Sequence, residues 1–199
     1  MKLMNMMDYD AAGAGFNEIY NGVESAEKLR DNAKFPVLAA GIRKKGGGEV
    51  FKPYIIKKVC SINIAIIGVC DYKSLPQIGN PKFDGFEFTG AESELLKILT
   101  EIKGKTDFVI LLSQMTPEEN ISLLKKYRLI NVIVEDYTNK KYDKPVLENN
   151  GVIVSPGKYG RYVGMLKIQK NGSKLKLISH EFIPVLDIAQ DEEAKKIIK

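Results

Sequence analysis

Between Ile62 and Val69 the sequence reads INIAIIGV, an almost continuous run of β-branched and apolar residues. No alternation marks an outward face, so the run predicts a strand covered on both sides, as in the middle of an α/β sheet. The preceding stretch, residues 50–59 (VFKPYIIKKV), is rich in β-branched and aromatic residues, and its Pro53 suits an edge strand. The apolar run stops abruptly at Cys70-Asp71. Ligands of open α/β sheets lie beyond the carboxyl ends of such strands. Asp71 is therefore a candidate wall of a site.

The rest of the chain has to supply that sheet's neighbours, and 199 residues suffice for one domain with a real core. The expected division is a single α/β domain over 1–186, with 187–199 as a terminal helix or tail. Charged residues make up 28% and the net charge is +5. The lysines come in scattered pairs (Lys44-Lys45, Lys57-Lys58, Lys125-Lys126) without interleaved arginine and aromatic residues, which argues against nucleic acid as a partner. No run approaches the ~18 apolar residues of a membrane span. The opening MKLMNMMDYD lacks the pattern of a signal peptide and reads as the end of a helix with Leu3, Met6 and Met7 on one side. That leaves a truncated beginning as an expectation. Cys60 falls at the turn between the two central strands and Cys70 at the far end. About nine residues at roughly 3.3 Å each separate them, beyond disulfide reach.

Residues 9–15 read as a short strand running into a glycine turn, and 23–32 as a helix with Val23, Ala26, Leu29 and Ala33 on one stripe. Phe35 to Ile42 reads as a buried strand and the three glycines after Lys45 as a turn. Residues 72–90 carry two prolines and three glycines and are expected to form a long loop over the crevice end of the sheet. A helix over 91–103 should bury Leu95, Leu96, Ile98, Leu99 and Ile102. Residues 107–113 and 131–136 should be buried strands. Thr116-Pro117-Glu118-Glu119 opens a helix with a cap, a proline and early acids. From Pro145 on, short strands and turns follow, with Asn171-Gly172 marking a hairpin. The strand and helix order predicts a layered α/β sandwich with mixed β-sheets.

Few residue constellations carry chemistry by themselves. Gly13-Ala14-Gly15 lacks the third glycine and the preceding strand of a dinucleotide fingerprint. Cys70, Ser113 and Thr138 have no histidine near in sequence, and the chain has one histidine, His180, so Cys-His and Ser-His nucleophile pairs are disfavoured. An oxygen-ligand site for Mg²⁺ or Ca²⁺ from Glu18, Asp71, Glu135 and Asp136 is conceivable; unpaired surface acids are the competing reading. Lys158, Tyr159 and Arg161 lie in a glycine-punctuated turn and could bracket an anion or a base; glycines permitting tight turns explain the same stretch.

Several stretches, in order, resemble the calcineurin-like metallophosphoesterases, in their 5'-nucleotidase branch. Tyr9-Asp10-Ala11 leading to Gly15-Phe16-Asn17-Glu18 matches the family's Tyr-Asp-Ala strand and Gly-Asn-His-Glu turn. Phe35 to Ala40, Lys52-Pro53-Tyr54 and Ile62 to Gly68 match its next strands, Leu112-Ser113-Gln114 its Leu-Ser-His, and Asp136-Tyr137-Thr138-Asn139 its Gly-His-Thr-His turn. Pro156 to Gly164 (PGKYGRYVG) is a close match. The resemblance implies a metallophosphoesterase-like fold.

The family holds two divalent metals with histidines, aspartates and an asparagine. By this resemblance the metal asparagine falls on Phe16, the catalytic histidine on Asn17, the third-loop histidine on Gln114, and the last two histidines on Tyr137 and Asn139; Glu18 keeps the family identity. Amides and phenols are far weaker ligands than imidazole for transition metals. The expectation is a degenerate, non-catalytic binding or structural module without a metal cofactor. Its ligand would be small and polar or phosphate-containing, held by Asp71, Asp136, Lys158, Tyr159 or Arg161. The alternative is a metal-dependent phosphohydrolase acting on nucleotides or other phosphate monoesters with replaced ligands. A homodimer or a partner domain is expected to cover a sheet edge. The resemblance also implies a periplasmic or extracellular setting. Asn17, Asp71, Gln114 and Asn139 are expected to converge on one face of the sheet.

Overall fold

The computed structural model describes residues 1–71, 81–138, 140–172, 174–186, 189 and 191–198. The chain divides into two compact units, Met1–Gln114 and Met115–Lys199. The first contains α1 (Lys2–Met6), β1 (Ala12–Gly13), α2 (Phe16–Ile19), α3 (Val23–Asn32), β2 (Val37–Leu38), β3 (Ile42–Lys44), β4 (Tyr54–Val59), β5 (Ile62–Val69), a 3-10 turn (Pro81–Phe83), β6 (Phe86–Phe88), α4 (Ala91–Ile102) and β7 (Phe108–Ser113). The second contains α5 (Pro117–Lys126), β8 (Val132–Glu135), β9 (Val146–Glu148), β10 (Gly151–Val154), β11 (Tyr162–Asn171), β12 (Lys174–Pro184) and α6 (Glu192–Ile198). Six strands form a mixed sheet in the order β4-β5-β7-β8-β10-β9.

β5 is the strand that the continuous apolar run predicts. It pairs antiparallel with β4 across the turn at Cys60-Ser61, and parallel with β7, with Ile67 opposite Leu111. Its carboxyl half, Ala65 to Val69, is buried. Burial has a structural cause at Gly68, where a Cβ would stand 2.1 Å from the Leu38 carbonyl oxygen. The missing side chain lets residues 38–40 lie directly on the strand, and Ala40 N–H donates to Gly68 O at 2.8 Å. β4 ends the sheet, and its Lys57 and Lys58 are exposed, the charged surface that discourages edge-to-edge pairing. The strand starts at Tyr54, so Val50 and Phe51 are buried core residues ahead of it.

A second apolar cluster of the first unit joins Ala14, Ile19, Ala26, Phe35, Val37, Phe51, Cys70, Phe83 and Phe86. Helix α1 presents Met1 and Met4 to it, while Met6 and Met7 are exposed. The predicted stripe of Leu3, Met6 and Met7 is thus rotated, because the docking side is set by the cluster below the helix. The long loop expected over 72–90 holds a strand: β6 pairs with β3, Ile42 opposite Phe88. Residues 72–80 lie outside the described residues. In α4 Leu95, Ile98, Leu99 and Ile102 are buried as predicted, but Leu96 is exposed and Glu94 is buried.

In the second unit, the opening of α5 is as predicted. Thr116 Oγ1 accepts from Glu119 N–H, and Glu119 Oε2 accepts from Thr116 N–H at 2.8 Å, so each satisfies an orphan donor of the helix end. Leu123 and Leu124 are buried. β10 runs parallel to β8 and antiparallel to β9. β11 and β12 form the hairpin that Asn171-Gly172 marks, with Gly172 at φ +58.

Candidate functional site

In the first unit, the carboxyl ends of β5 and β7 and the turn before α2 enclose one crevice. Gln114 follows β7, and its backbone N–H donates to Val69 O at 2.9 Å, which fixes it beside the end of β5. Its side-chain amide lies over Gly15: a Cβ on Gly15 would come within 1.5 Å of Gln114 Oε1. Glu18, one turn on, accepts the Gly15 N–H at 2.8 Å. Cys70 is buried here, and burial, with the nearby Asp71 and Glu18 carboxylates, pushes its thiol up to about 12. A neutral thiol at physiological pH is neither nucleophile nor metal ligand. Glu18, Asp71 and Gln114 lie near one another here, Asn17 is exposed on α2, and Asn139, the fourth residue expected on this face, lies outside the described residues.

Phe16, also on α2, points into an aromatic cluster. Its ring centroid is 5.4 Å from Tyr20 and 5.8 Å from Phe83, and Phe83 continues to Phe86 and Phe88. Such tilted and edge-to-face pairs at these distances are favourable packing. The position that the resemblance assigns to a metal asparagine is an apolar anchor.

The second unit places Asp136 and Tyr137 on the exposed stretch after β8, and Asn139 lies outside the described residues. The chemistry there centres on Glu135, which is 1% exposed. Its Oε1 accepts from Tyr142 Oη at 2.7 Å and Thr138 Oγ1 at 3.1 Å, and its Oε2 accepts from Asn120 Nδ2 at 3.2 Å. Three donors offset the desolvation that an isolated buried carboxylate would suffer. Burial, then the hydrogen bond to Glu135, raises the Tyr142 phenol to about 12. Of the carboxylates conceived as an oxygen-ligand site, Glu135 is occupied by these donors and Glu18 accepts the Gly15 amide. Among the described residues no group of three or more His, Cys, Asp or Glu side chains is placed to hold a metal ion.

Lys158, Tyr159 and Arg161 are exposed in the turn after β10. The Lys158 ammonium lies 4.8 Å and the Arg161 guanidinium 5.7 Å from the Tyr159 ring centre, so both cations stack on one ring. His180 packs edge-on against Phe182 at 4.6 Å, and burial followed by the Lys141 charge lowers its pKa. Sequence reasoning missed Gly15, Asn120 and Tyr142. Gly15 sits in the turn that was read for its family match, but its contact partner is 99 positions away (114 − 15). Asn120 and Tyr142 stand 15 and 7 residues from Glu135 and carry no local motif.

No family model matches the chain. A 5'-nucleotidase of Vibrio cholerae is 27% identical over 92% of this chain and 39% of its own length. The Bacillus subtilis metallophosphoesterase YunD, described as uncharacterized, is 30% identical over 83% of this chain and 36% of its own length. The chain therefore spans a third to two fifths of the length of such curated relatives, 33% to 39%. Among solved structures, the calcineurin-like phosphoesterase YfkN of Bacillus subtilis superposes with a TM-score of 0.77, at 17% identity, over 98% of this chain and 70% of that one. That likeness is one of fold.

Proposed function

We propose that this chain, which belongs to the 5'-nucleotidase branch of the calcineurin-like metallophosphoesterases, is a non-hydrolytic member whose crevice holds a small polar ligand. One observation carries the reading: Phe16, at the family's metal-asparagine position, is built into an aromatic cluster with Tyr20 and Phe83. A benzyl side chain has no lone pair to offer, and its packing opposes any turn toward the crevice. The other positions agree. Asn17 and Gln114 offer amides where the family has imidazoles, Cys70 is held as the neutral thiol, and Glu18 already accepts a backbone N–H. The residues present do not fit a two-metal centre, and no hydrolytic step is derived through one.

Amides that replace imidazoles keep hydrogen-bonding capacity while losing metal affinity and titration near neutral pH. The Glu18 and Asp71 carboxylates favour a neutral or cationic polar ligand over a phosphate at this crevice. A phosphate-containing ligand is better matched to the Lys158 and Arg161 turn. An exported setting and a second copy or partner domain covering a sheet edge belong to the same proposal. No helix among the described residues is long and apolar enough to cross a membrane.

The test is metal analysis of protein purified without chelator, together with hydrolysis of p-nitrophenyl phosphate and AMP with and without added Mn²⁺ or Zn²⁺. The expected result is substoichiometric metal and no turnover. Stoichiometric Mn, Fe or Zn, or robust hydrolysis that dies on Glu18→Ala or Asp136→Ala, would instead establish a phosphohydrolase with replaced ligands.

A further inference from the structure

In the second unit, β11 and β12 form a two-stranded sheet of their own, ten cross-strand pairs long, and among the described residues neither strand pairs with a third. A lone hairpin is marginal in water unless a face is covered. One face here is engaged. Leu166, Ile168, Leu175, Leu177 and Phe182 are half-buried on it, and Lys141 Nζ lies 4.8 Å from the Tyr162 ring centre and 4.7 Å from that of Phe182.

Strand alternation puts Val163, Met165, Lys167 and Gln169 on the other face, opposite Ile183, Glu181, Ser179 and Lys176, with Lys174 following opposite Asn171. All of these but Ser179 are exposed. Val163 is 55% exposed, and Met165 and Ile183 are each 47% exposed. Three aliphatic side chains thus stand in solvent at one end of the face, and Lys167, Lys174 and Lys176 stand toward the other. A contiguous exposed apolar patch bordered by charge marks an interaction surface.

The charge of the segment says what the surface fits. Between Lys158 and Pro184 six Lys and Arg side chains face one carboxylate, Glu181, and the remaining 24 cations and 24 carboxylates of the chain cancel (30 − 6 and 25 − 1). The whole surplus of +5 is therefore carried here. A partner has to be anionic, and a second copy would set three lysines against three. The exposed face holds neither arginine nor an aromatic ring. Protein interfaces favour both and are depleted in lysine. Nucleic acid is read by arginine and gripped by rings on which bases stack. Aliphatic side chains beside lysines suit a lipid headgroup layer, which takes up the apolar tips and meets the ammoniums with phosphate.

We propose that the exposed face of the β11–β12 hairpin docks on an anionic lipid surface, with Val163, Met165 and Ile183 entering the headgroup region and Lys167, Lys174 and Lys176 on lipid phosphates. Glu181, the one carboxylate of the face, opposes the attachment. This docking does not depend on what the crevice holds or hydrolyses.

Co-sedimentation of the full chain with two kinds of vesicle tests it: phosphatidylcholine alone, and equal parts of phosphatidylcholine and phosphatidylglycerol. The chain is expected to bind the mixed vesicles, at least about tenfold more tightly than the neutral ones, and to be released as NaCl rises. Changing Lys167, Lys174 and Lys176 together to Gln should weaken binding at least about tenfold, since each cation at such a surface contributes about fivefold. The triple change of Lys58, Lys103 and Lys105 to Gln removes the same charge from exposed positions elsewhere and should leave binding unchanged. Val163→Ser with Met165→Ser should weaken it at every salt concentration. Glu181→Gln should tighten it, a gain that keeps the test decisive where the triple hairpin variant fails to fold. No binding, equal binding to both vesicles, equal loss in the two triple variants, or no gain with Glu181→Gln overturns the proposal. So does complete displacement from the mixed vesicles by an equal charge of polyglutamate or single-stranded oligonucleotide, which would make a polyanion the partner.

Discussion

The turn before α2 and the stretch after β8, which the sequence resemblance matches to two metal-binding loops of the family, are held by opposite means. At the first, Phe16 is anchored among aromatic rings and Gly15 lies tightly under Gln114. At the second, a buried carboxylate, Glu135, gathers Asn120, Thr138 and Tyr142. A loop that would otherwise fray can be held by close apolar packing or by a fully satisfied polar network. The two solutions differ in what breaks them. Packing fails when volume changes, and a buried network fails when one partner is removed and the rest are left unsatisfied.

The largest effect is expected on the packed side. Gly68→Ala would drive a Cβ into backbone at Leu38 O, an atom that cannot rotate away. A cost of at least about 3 kcal/mol follows, read as a lowered urea midpoint. A midpoint equal to wild type would mean that residues 38–40 can retreat, and that the packing is looser than the distances imply. On the polar side, Glu135→Ala strands three donors and should cost about 2–3 kcal/mol, whereas Glu135→Gln retains an acceptor and should cost about 1 kcal/mol. If the two substitutions cost the same, the carboxylate is not what holds the loop. Phe16→Asn restores the family residue but deletes a half-buried ring, for about 1–2 kcal/mol. It is expected to give no measurable Mn²⁺ binding by calorimetry, because Asn17, Gln114 and Tyr137 remain poor ligands. Tight binding after this one change would show that the crevice is a nearly intact metal site.

The same contrast governs what the sequence could reveal. Local physics was legible: α3 spans the predicted Val23–Asn32, Thr116 caps α5, and Asn171-Gly172 turns a hairpin. The continuous apolar run of β5 marked a buried inner strand, next to the edge strand β4, and the order of the matched stretches placed the fold. Features set by distant partners were not legible. Glu94 is buried and Leu96 exposed because Arg43, 51 positions earlier (94 − 43), reaches the Glu94 carboxylate, which helical periodicity cannot register. The pairing of β6 with β3 turned half of an expected loop into a strand edge. In the crevice, the resemblance supplied Glu18 and Gln114 and the end of the apolar run supplied Asp71, but neither supplied the contact of Gln114 on Gly15.

The effect that separates the two regions most cleanly is alkaline, and near neutral pH it is nil. Burial raises the Cys70 thiol from an ordinary 9.0 to about 12, and burial with the Glu135 hydrogen bond raises the Tyr142 phenol from 10.0 to about 12. In both cases the fold favours the neutral form, so the unfolded chain gives up its proton first. Above the unfolded value the folded state binds more protons, and stability falls as pH rises. The Cys70 contribution is fully present below pH 9 and is lost from there through about 12; the Tyr142 contribution is lost from pH 10 through about 12. Tyr54, raised to about 12 by Glu101, adds to the second window, so Tyr54→Phe is the control. Urea midpoints across this range should show Cys70→Ala flattening the decline that begins at pH 9, while Tyr142→Phe leaves that early decline intact and flattens the part above pH 10. An early decline that persists in Cys70→Ala would place its origin outside the packed region. The distinction between a loop held by packing and a loop held by a proton would then rest on Tyr142 alone.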